Sequence, residues 1–400
     1  MSQQERILSG MRPTGSLHIG HYHGALKNWV RLQDEFRCFY FVADWHALTT
    51  HYEDPSVMGA SVWDMLVDWF GAGLDPNRST VFIQSRVPEH AELFLLLAMS
   101  APLGWLERVP TYKDQIEKLK DKDLSTYGFL GYPLMQAADI LIYRARYVPV
   151  GEDQVPHIEM TREIARRFNH LYGREPGFED KALAATKKLG GKAAKRFAEL
   201  RTRWQQEGDA AAIEAGRALL ASASIPREDR ERLAGYLEGT SRAILVEPAA
   251  RLTETPKLPG LDGNKMSKSY GNAVLMREEP KALTDKVRKM TTDPARVKRT
   301  DPGEPERCPV WQLHKVYSNE DTKVWVQQGC RSAGIGCLEC KQPVIDAMLA
   351  EQVPWRERAQ PYLDRPQLLR EIVDDGCARA RQVAEETMRD VREAMGLGYR

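Results

Sequence analysis

The 400-residue chain contains no apolar run long enough to cross a bilayer; the stretch Leu93–Met99 is far shorter than the roughly 20 residues a spanning helix needs. Met1–Arg6 has no apolar core of a signal peptide, so a cytoplasmic protein is expected. Neither sign of charge prevails: 57 Lys and Arg against 56 Asp and Glu leave +1. That balance does not announce a nucleic-acid partner, although a local basic face offset by acidic surface elsewhere stays compatible with one. Cysteine is scarce, and in a reducing compartment its six copies are not expected to form structural disulfides. The remaining totals, 42% hydrophobic and 28% charged, are those of an ordinary globular chain. Its length predicts two or three domains.

Ile7-Leu8 reads as a strand that runs into a turn built on Gly10, Pro13 and Gly15, and a helical pattern begins near Gly20. Strand, glycine-rich turn and helix in that order aim backbone N–H groups and the positive end of a helix dipole at one place, where an anion can sit. His18 and His21 lie at the same mouth and can donate to phosphate oxygens as charge grows on them. Helical spacing of Leu26, Trp29, Val30, Leu32 and Phe36 leads to a buried strand over Cys38–Ala43. A second helix through Val62–Phe70 then leads to a strand over Thr80–Ile83. Strands alternating with helices, without hairpin signals, predict a doubly wound parallel α/β sheet whose ligands sit at the strands' carboxyl ends. Asp44-Trp45-His46 emerges at that same end.

Residues 86–135, with a lysine-rich stretch at Lys113–Lys122, are expected to connect the two halves of the sheet. Beyond it, Gln136 and Asp139 share one helix face, and Asp139 stands between Ala138 and Ile140, where a carboxylate needs a partner. Residues 173–246 change to Ala, Lys, Arg and Glu and predict an inserted helical module; over 181–232, twelve Lys or Arg face seven Asp or Glu, the usual look of a solvated surface. The segment 247–280 returns to the first domain and carries Leu258–Ser269, a glycine-rich loop with Lys265 and Lys268. Such a loop can close over a polyphosphate and neutralise its leaving group. Residues 281–400 predict a helical domain opening on a basic patch over Lys281–Arg299 that suits an RNA backbone.

His18-Ile19-Gly20-His21 and Lys265-Met266-Ser267-Lys268-Ser269, in that order around a doubly wound pattern, resemble the two signatures of class I aminoacyl-tRNA synthetases. Gly10–Gly15, Ala137–Leu141, Val150–Gln154 and Ala394–Gly398 narrow the resemblance to bacterial tryptophanyl enzymes; it covers about 6–172 and 247–400. It implies a Rossmann-like catalytic domain over 1–172 and a helical anticodon-binding domain at 281–400. The implied reaction is activation of tryptophan by ATP with Mg²⁺ and transfer to the 3′-terminal adenosine of tRNA(Trp), in a homodimer. His18, His21, Lys265 and Lys268 would be catalytic. Arg12, Thr14, Gly20 and Asp153, with Met266, Ser267 and the catalytic His21, Lys265 and Lys268, would meet ATP. Gly10, His46, Tyr132, Gln136, Asp139 and Gln154 would form the amino-acid pocket, with Asp139 accepting the indole N–H and Tyr132 and Gln154 meeting the ammonium group. Arg12 departs from the family, many of whose members carry Gln there. The spacing of Tyr132, Gln136 and Asp139 also resembles the pocket of tyrosyl enzymes, so a tyrosine-tRNA ligase is the alternative, followed by an inactive RNA-binding paralogue.

Cys308, Cys330, Cys337 and Cys340, separated by 21, six and two residues, form a possible four-thiolate site that suits zinc or an iron-sulfur cluster. Gly329, Gly334 and Gly336 would let a loop wrap the centre. A subset of the tryptophanyl enzymes has nearly this spacing around a [4Fe-4S] cluster, which makes the cluster the expectation and zinc the alternative. Cys38 and Cys377 read as core.

Overall fold

Alternating helix and buried-strand patterns should leave the glycine-rich turn at the end of a central strand, and they do. A computed structural model describes residues 4–13, 15–56, 58–109, 126–253 and 258–399. Its strands are β1 (Arg6–Met11), β2 (Arg37–Val42), β3 (Ser79–Ile83), β4 (Tyr147–Val150) and β5 (Ala249–Leu252). They pair in parallel in the order β3-β2-β1-β4-β5. All five β3 residues and the last five of β2 are buried, as expected of strands covered on both faces. The chain leaves β1 toward β2 on one side while β4 lies on the other, so the crevice between the ends of β1 and β4 is where a ligand belongs.

β1 runs beyond the two apolar residues that mark it in the sequence, because Ser9 and Gly10 stay in register with Tyr40 and Phe41. Gly10 permits this approach: a Cβ there would lie 2.5 Å from the Phe41 ring.

The inserted segment forms four helices, Phe178–Lys188, Gly191–Glu207, Ala210–Ser222 and Arg227–Glu238, around a core of their own that includes Phe197, Leu233 and Leu237. Much of its charge is spent internally: Lys188 meets Asp229 at 2.6 Å and Arg217 meets Glu238 at 2.6 Å.

The C-terminal helices do not form a separate ball. Helix Cys337–Asp364 lies on helix Met58–Ala72, where Arg358 Nε donates to the Gly71 carbonyl at 2.7 Å. Helix Pro366–Ala394 lies on β3 at Gly376, where any Cβ would collide with the Val81 carbonyl. Trp355, Val373 and the sheet residues share one core. The apolar periodicity from Gln367 onward marks the second of these helices; Pro343, Pro354 and Pro361 mask the first.

Candidate active site

The turn after β1 is built to bring two imidazoles together. His18 is buried and His21 half-buried, with ring centroids 3.7 Å apart. Gly20 makes the room, since a Cβ there would lie 2.9 Å from His18 Nδ1. The His18 backbone N–H donates to His21 Nδ1 at 3.2 Å, so a neutral His21 carries its proton on Nε2, the nitrogen left to donate elsewhere. His18 Nδ1 is buried with no hydrogen-bond partner, a cost that a bound phosphate oxygen relieves. Burial first, then the charges of Lys268 and Lys265, lowers His18 to about 4; burial, His18 and the same lysines lower His21 to about 3. Both rings are therefore neutral donors at pH 7.

The lysine loop lies against the histidine turn, with Met266 beside Gly20 and Lys268 beside Gly15, and the backbone shows how it is held. Ile19 N–H donates to Val274 O at 3.0 Å and Met276 N–H to Leu17 O at 2.8 Å, zipping the two segments together. Asn272, almost fully buried, shapes the loop: its Oδ1 accepts from the Ser267 N–H at 2.7 Å, while its Nδ2 donates to Asp262 at 2.7 Å and to the Lys265 carbonyl at 3.2 Å. Met266 is buried beside Gly20, and Lys265 is exposed. Lys268 reaches across the turn to within 3.0 Å of where a Cβ on Gly15 would stand, and Gly15 has φ +88°, so that position is closed to side chains twice over. Burial lowers the Lys268 pKa, against the pull of Asp64 and Asp68. Asp68 anchors the turn, accepting from the Leu17 N–H at 2.7 Å and from Arg277 Nε at 2.6 Å; burial raises it to about 6 despite Arg277. Asp64 is held by Ser16 and Arg277.

Beside this cluster, at the crevice between β1 and β4, a cavity of about 450 Å³ opens. Gly10, Arg12, His46, Tyr132, Gln136, Asp139 and Gln154 all line it. At its floor the Asp139 carboxylate is 1% exposed. Its Oδ2 accepts from His46 Nε2 at 2.7 Å, and its Oδ1 accepts from Gln84 Nε2 at 2.8 Å and His90 Nδ1 at 2.6 Å. Burial opposes ionisation, but the hydrogen bonds from His46 and His90 overcome it and hold Asp139 below the usual carboxylate range. The helix Tyr127–Ile142 carries Tyr132, Gln136 and Asp139 on one face, as their spacing predicts.

Asp153 is exposed on the short turn Glu152–Gln154, outside the cavity wall, with Gln154 Nε2 donating to it at 3.1 Å. Thr14 and the Lys113–Lys122 stretch lie outside the described residues. Sequence reasoning missed Gln84, His90, Asp68, Arg277 and Asn272. Gln84 and His90 carry no motif; they follow β3, where a strand's carboxyl end is the only available signal.

The four cysteines stand at helix ends, and a short loop over 332–336 that holds Gly334 and Gly336 joins two of those ends. Cys308 caps Pro309–Tyr317, Cys330 lies in the last turn of Glu320–Arg331, and Cys337 and Cys340 fall in the first turn of Cys337–Asp364. Gly329 is itself helical and makes room for Ile335, 2.8 Å from where its Cβ would be, so packing explains it better than loop freedom does. Burial first, then the other three thiols, raises Cys340 to about 12, so all four are within electrostatic reach. Arg296 Nη1 approaches Cys330 Sγ at 3.8 Å and His314 Nε2 approaches Cys340 Sγ at 3.4 Å. Among the described residues, no three Cys, His, Asp or Glu groups are drawn together tightly enough to hold a metal ion.

With this geometry in hand, likeness to known proteins is informative. The family model for tRNA synthetases class I (W and Y) matches residues 2–193 and 230–350. The chain is 72% identical to the tryptophan–tRNA ligase of Ralstonia nicotianae over 99% of both chains, and 44% identical to that of Thermotoga maritima over 98% of this chain and 100% of the other. Its fold is similar to that of the Campylobacter jejuni tryptophanyl-tRNA synthetase complexed with ADP and tryptophane, with a TM-score of 0.72 and 28% identity over 98% of this chain and 100% of that one. A tyrosyl-tRNA synthetase from Archaeoglobus fulgidus, at 18% identity, shares the fold alone. A neutral histidine pair under a two-lysine loop, joined to a carboxylate-floored cavity, thus coincides with full-length likeness, and the chain belongs to the class I tRNA synthetases of the tryptophan and tyrosine family.

Proposed function

We infer that the protein is a tryptophan–tRNA ligase, which activates L-tryptophan with ATP and transfers it to the 3′-terminal adenosine of tRNA(Trp). The observation that carries this reading is 72% identity to a tryptophan–tRNA ligase along the whole chain, with the histidine signature bonded to the segment that follows the lysine signature. The tryptophan carboxylate attacks the α-phosphate in line, which calls for alignment and charge stabilisation rather than a covalent nucleophile. His18 and His21 donate to oxygens that gain charge, and Lys265 and Lys268 hold the departing pyrophosphate. Asp64 and Asp68 are committed to Arg277, Ser16 and Leu17; Mg²⁺, carried in with ATP as part of the substrate, would offset the charge of its phosphates. Asp139 accepts the indole N–H, with Tyr132, Gln136 and Gln154 around the amino acid, while Asp153 waits at the rim for the ribose. In ATP–pyrophosphate exchange run with each amino acid in turn, tryptophan is expected to support exchange and tyrosine to support almost none; the opposite pattern refutes the assignment.

The basic segment over Lys281–Arg299 and the C-terminal helices form the tRNA anticodon surface in this reading, in a cytoplasmic homodimer. No described helix is long and apolar enough to cross a membrane. Cys308, Cys330, Cys337 and Cys340 would hold a [4Fe-4S] cluster in this reading, and it would tie these helices together. Four cysteines brought together at three neighbouring helix ends suit either centre by donor chemistry, and the spacing of the cysteines is what favours the cluster over zinc here. Arg296 and Lys341 offset the thiolate charge. Anaerobic purification followed by elemental analysis is expected to return iron and sulfide near four each per chain, the composition of such a cluster. Stoichiometric zinc without iron would reject the cluster.

A further inference from the structure

The acceptor at the cavity floor is held by a set of groups that the two signatures do not include. Tyr143 is fully buried, and burial followed by the charge of Asp139 raises its pKa well above the usual range, so it stays a phenol. His90, also buried, bonds through Nε2 to the Tyr143 hydroxyl at 2.7 Å and through Nδ1 to Asp139 Oδ1 at 2.6 Å. With the phenol donating to Nε2, the His90 proton sits on Nδ1 and points at Asp139. Gln84 is turned so that its Nε2 donates to the same oxygen, although this leaves its Oε1 buried with no partner. The opposite flip would set acceptor against acceptor. Of about four acceptor positions on a carboxylate, three are filled, and the one remaining is on Oδ2, the oxygen that bonds His46; both residues line the cavity.

We propose that His90, held by Tyr143, and Gln84 are positioning residues that fix Asp139 as an acceptor with a single open position, and thereby select a side chain ending in a ring N–H over one ending in a hydroxyl. This deepens the tryptophan reading and rests on it. An indole N–H donates and asks nothing back. A phenol oxygen donates but also brings lone pairs, and the three donors that surround the carboxylate, His46, His90 and Gln84, are spent on Asp139. The selectivity of the floor therefore comes from how its donors are already committed.

The groups that face this network are His46 and His90 from two neighbouring helices, His157 beyond His46, and Glu89 and Cys377 beside Tyr143. Removing a donor from Asp139 destabilises its ionised form and raises its pKa, so the acid limb of kcat/KM for tryptophan moves to higher pH. The test is ATP–pyrophosphate exchange with tryptophan and with tyrosine, from acid to neutral pH, in wild type, His90→Phe, His90→Asn and Tyr143→Phe. His90→Phe is expected to raise KM for tryptophan about tenfold to a hundredfold. KM for ATP should stay within about twofold, the acid limb should rise, and the preference for tryptophan over tyrosine should narrow. His90→Asn, which keeps a donor near the Nδ1 position, should recover part of the loss. Tyr143→Phe removes only a hydroxyl and should move the limb in the same direction, which keeps the test open if His90→Phe does not fold. Equal losses for tryptophan and ATP with an unmoved limb and an unchanged tyrosine preference would overturn the proposal. A wild-type enzyme that exchanges with tyrosine and not tryptophan would instead overturn the ligase reading.

Discussion

Lys268→Met should slow tryptophanyl-adenylate formation by about 10²- to 10³-fold, the usual cost of removing one preorganised group from a developing charge, while tryptophan affinity changes little. The geometry fixes this expectation. Lys268 lies against the Gly15 turn and close enough to His18 and His21 to depress both imidazoles, so its ammonium group already stands where phosphate charge will build. Burial lowers its pKa against the pull of Asp64 and Asp68, so the charged ammonium is held at some cost that a polyphosphate would offset. Methionine keeps most of the stem volume and removes the charge. Single-turnover formation of the adenylate at saturating ATP reads the effect directly, and tryptophan binding by calorimetry reads the control. A fall confined to ATP affinity, with the single-turnover rate intact, would mean that Lys268 binds the ground state and does not favour the transition state. Lys268→Arg should recover only part of the rate, because a planar guanidinium is wider than an ammonium and the Gly15 backbone leaves little space.

The sheet was legible in the sequence because its strands are buried on both faces and read as unbroken apolar runs, as at Phe39–Val42 and Val81–Ile83. The two motifs that carry His18, His21, Lys265 and Lys268 were legible because each is supplied by a single segment. The groups that hold them in place come from elsewhere in the chain. Asp68 reaches the Leu17 N–H from 51 residues away, and Arg277 reaches Asp68 from 209 residues away. No local pattern encodes either pairing, since any surface helix can carry an Asp or an Arg. His90 and Gln84 were hidden for the same reason, and for a second: a buried histidine between apolar neighbours is more often a packed core residue than a device. The four cysteines were only partly legible. Gly334 and Gly336 do lie in a short loop over 332–336, but Gly329 is helical and the cysteines themselves stand at three helix ends, which their spacing does not encode.

Asp139→Asn is expected to reduce kcat/KM for tryptophan by about a hundredfold, a loss of roughly 2–4 kcal/mol from a charged hydrogen bond and an unsatisfied buried donor. The arrangement around the carboxylate explains why a change of one atom costs so much. His90 and Gln84 both donate to Oδ1, so the amide oxygen of an asparagine must take that side. Its Nδ2 then faces His46 and the cavity, where it opposes the indole N–H donor with donor. His46 can answer by moving its proton to the other ring nitrogen, but the indole cannot. ATP binding, measured separately, should change by less than about twofold, because the phosphate cluster is held by Asp68, Arg277 and Asn272 rather than by this floor. The pH profile adds a second check. Asp139 lies below the usual carboxylate range, so its contribution to tryptophan binding in wild type is complete above that range and is lost only as pH falls through its lowered pKa. A variant that loses tryptophan and ATP equally would show that the carboxylate supports the fold around it and does not receive the substrate.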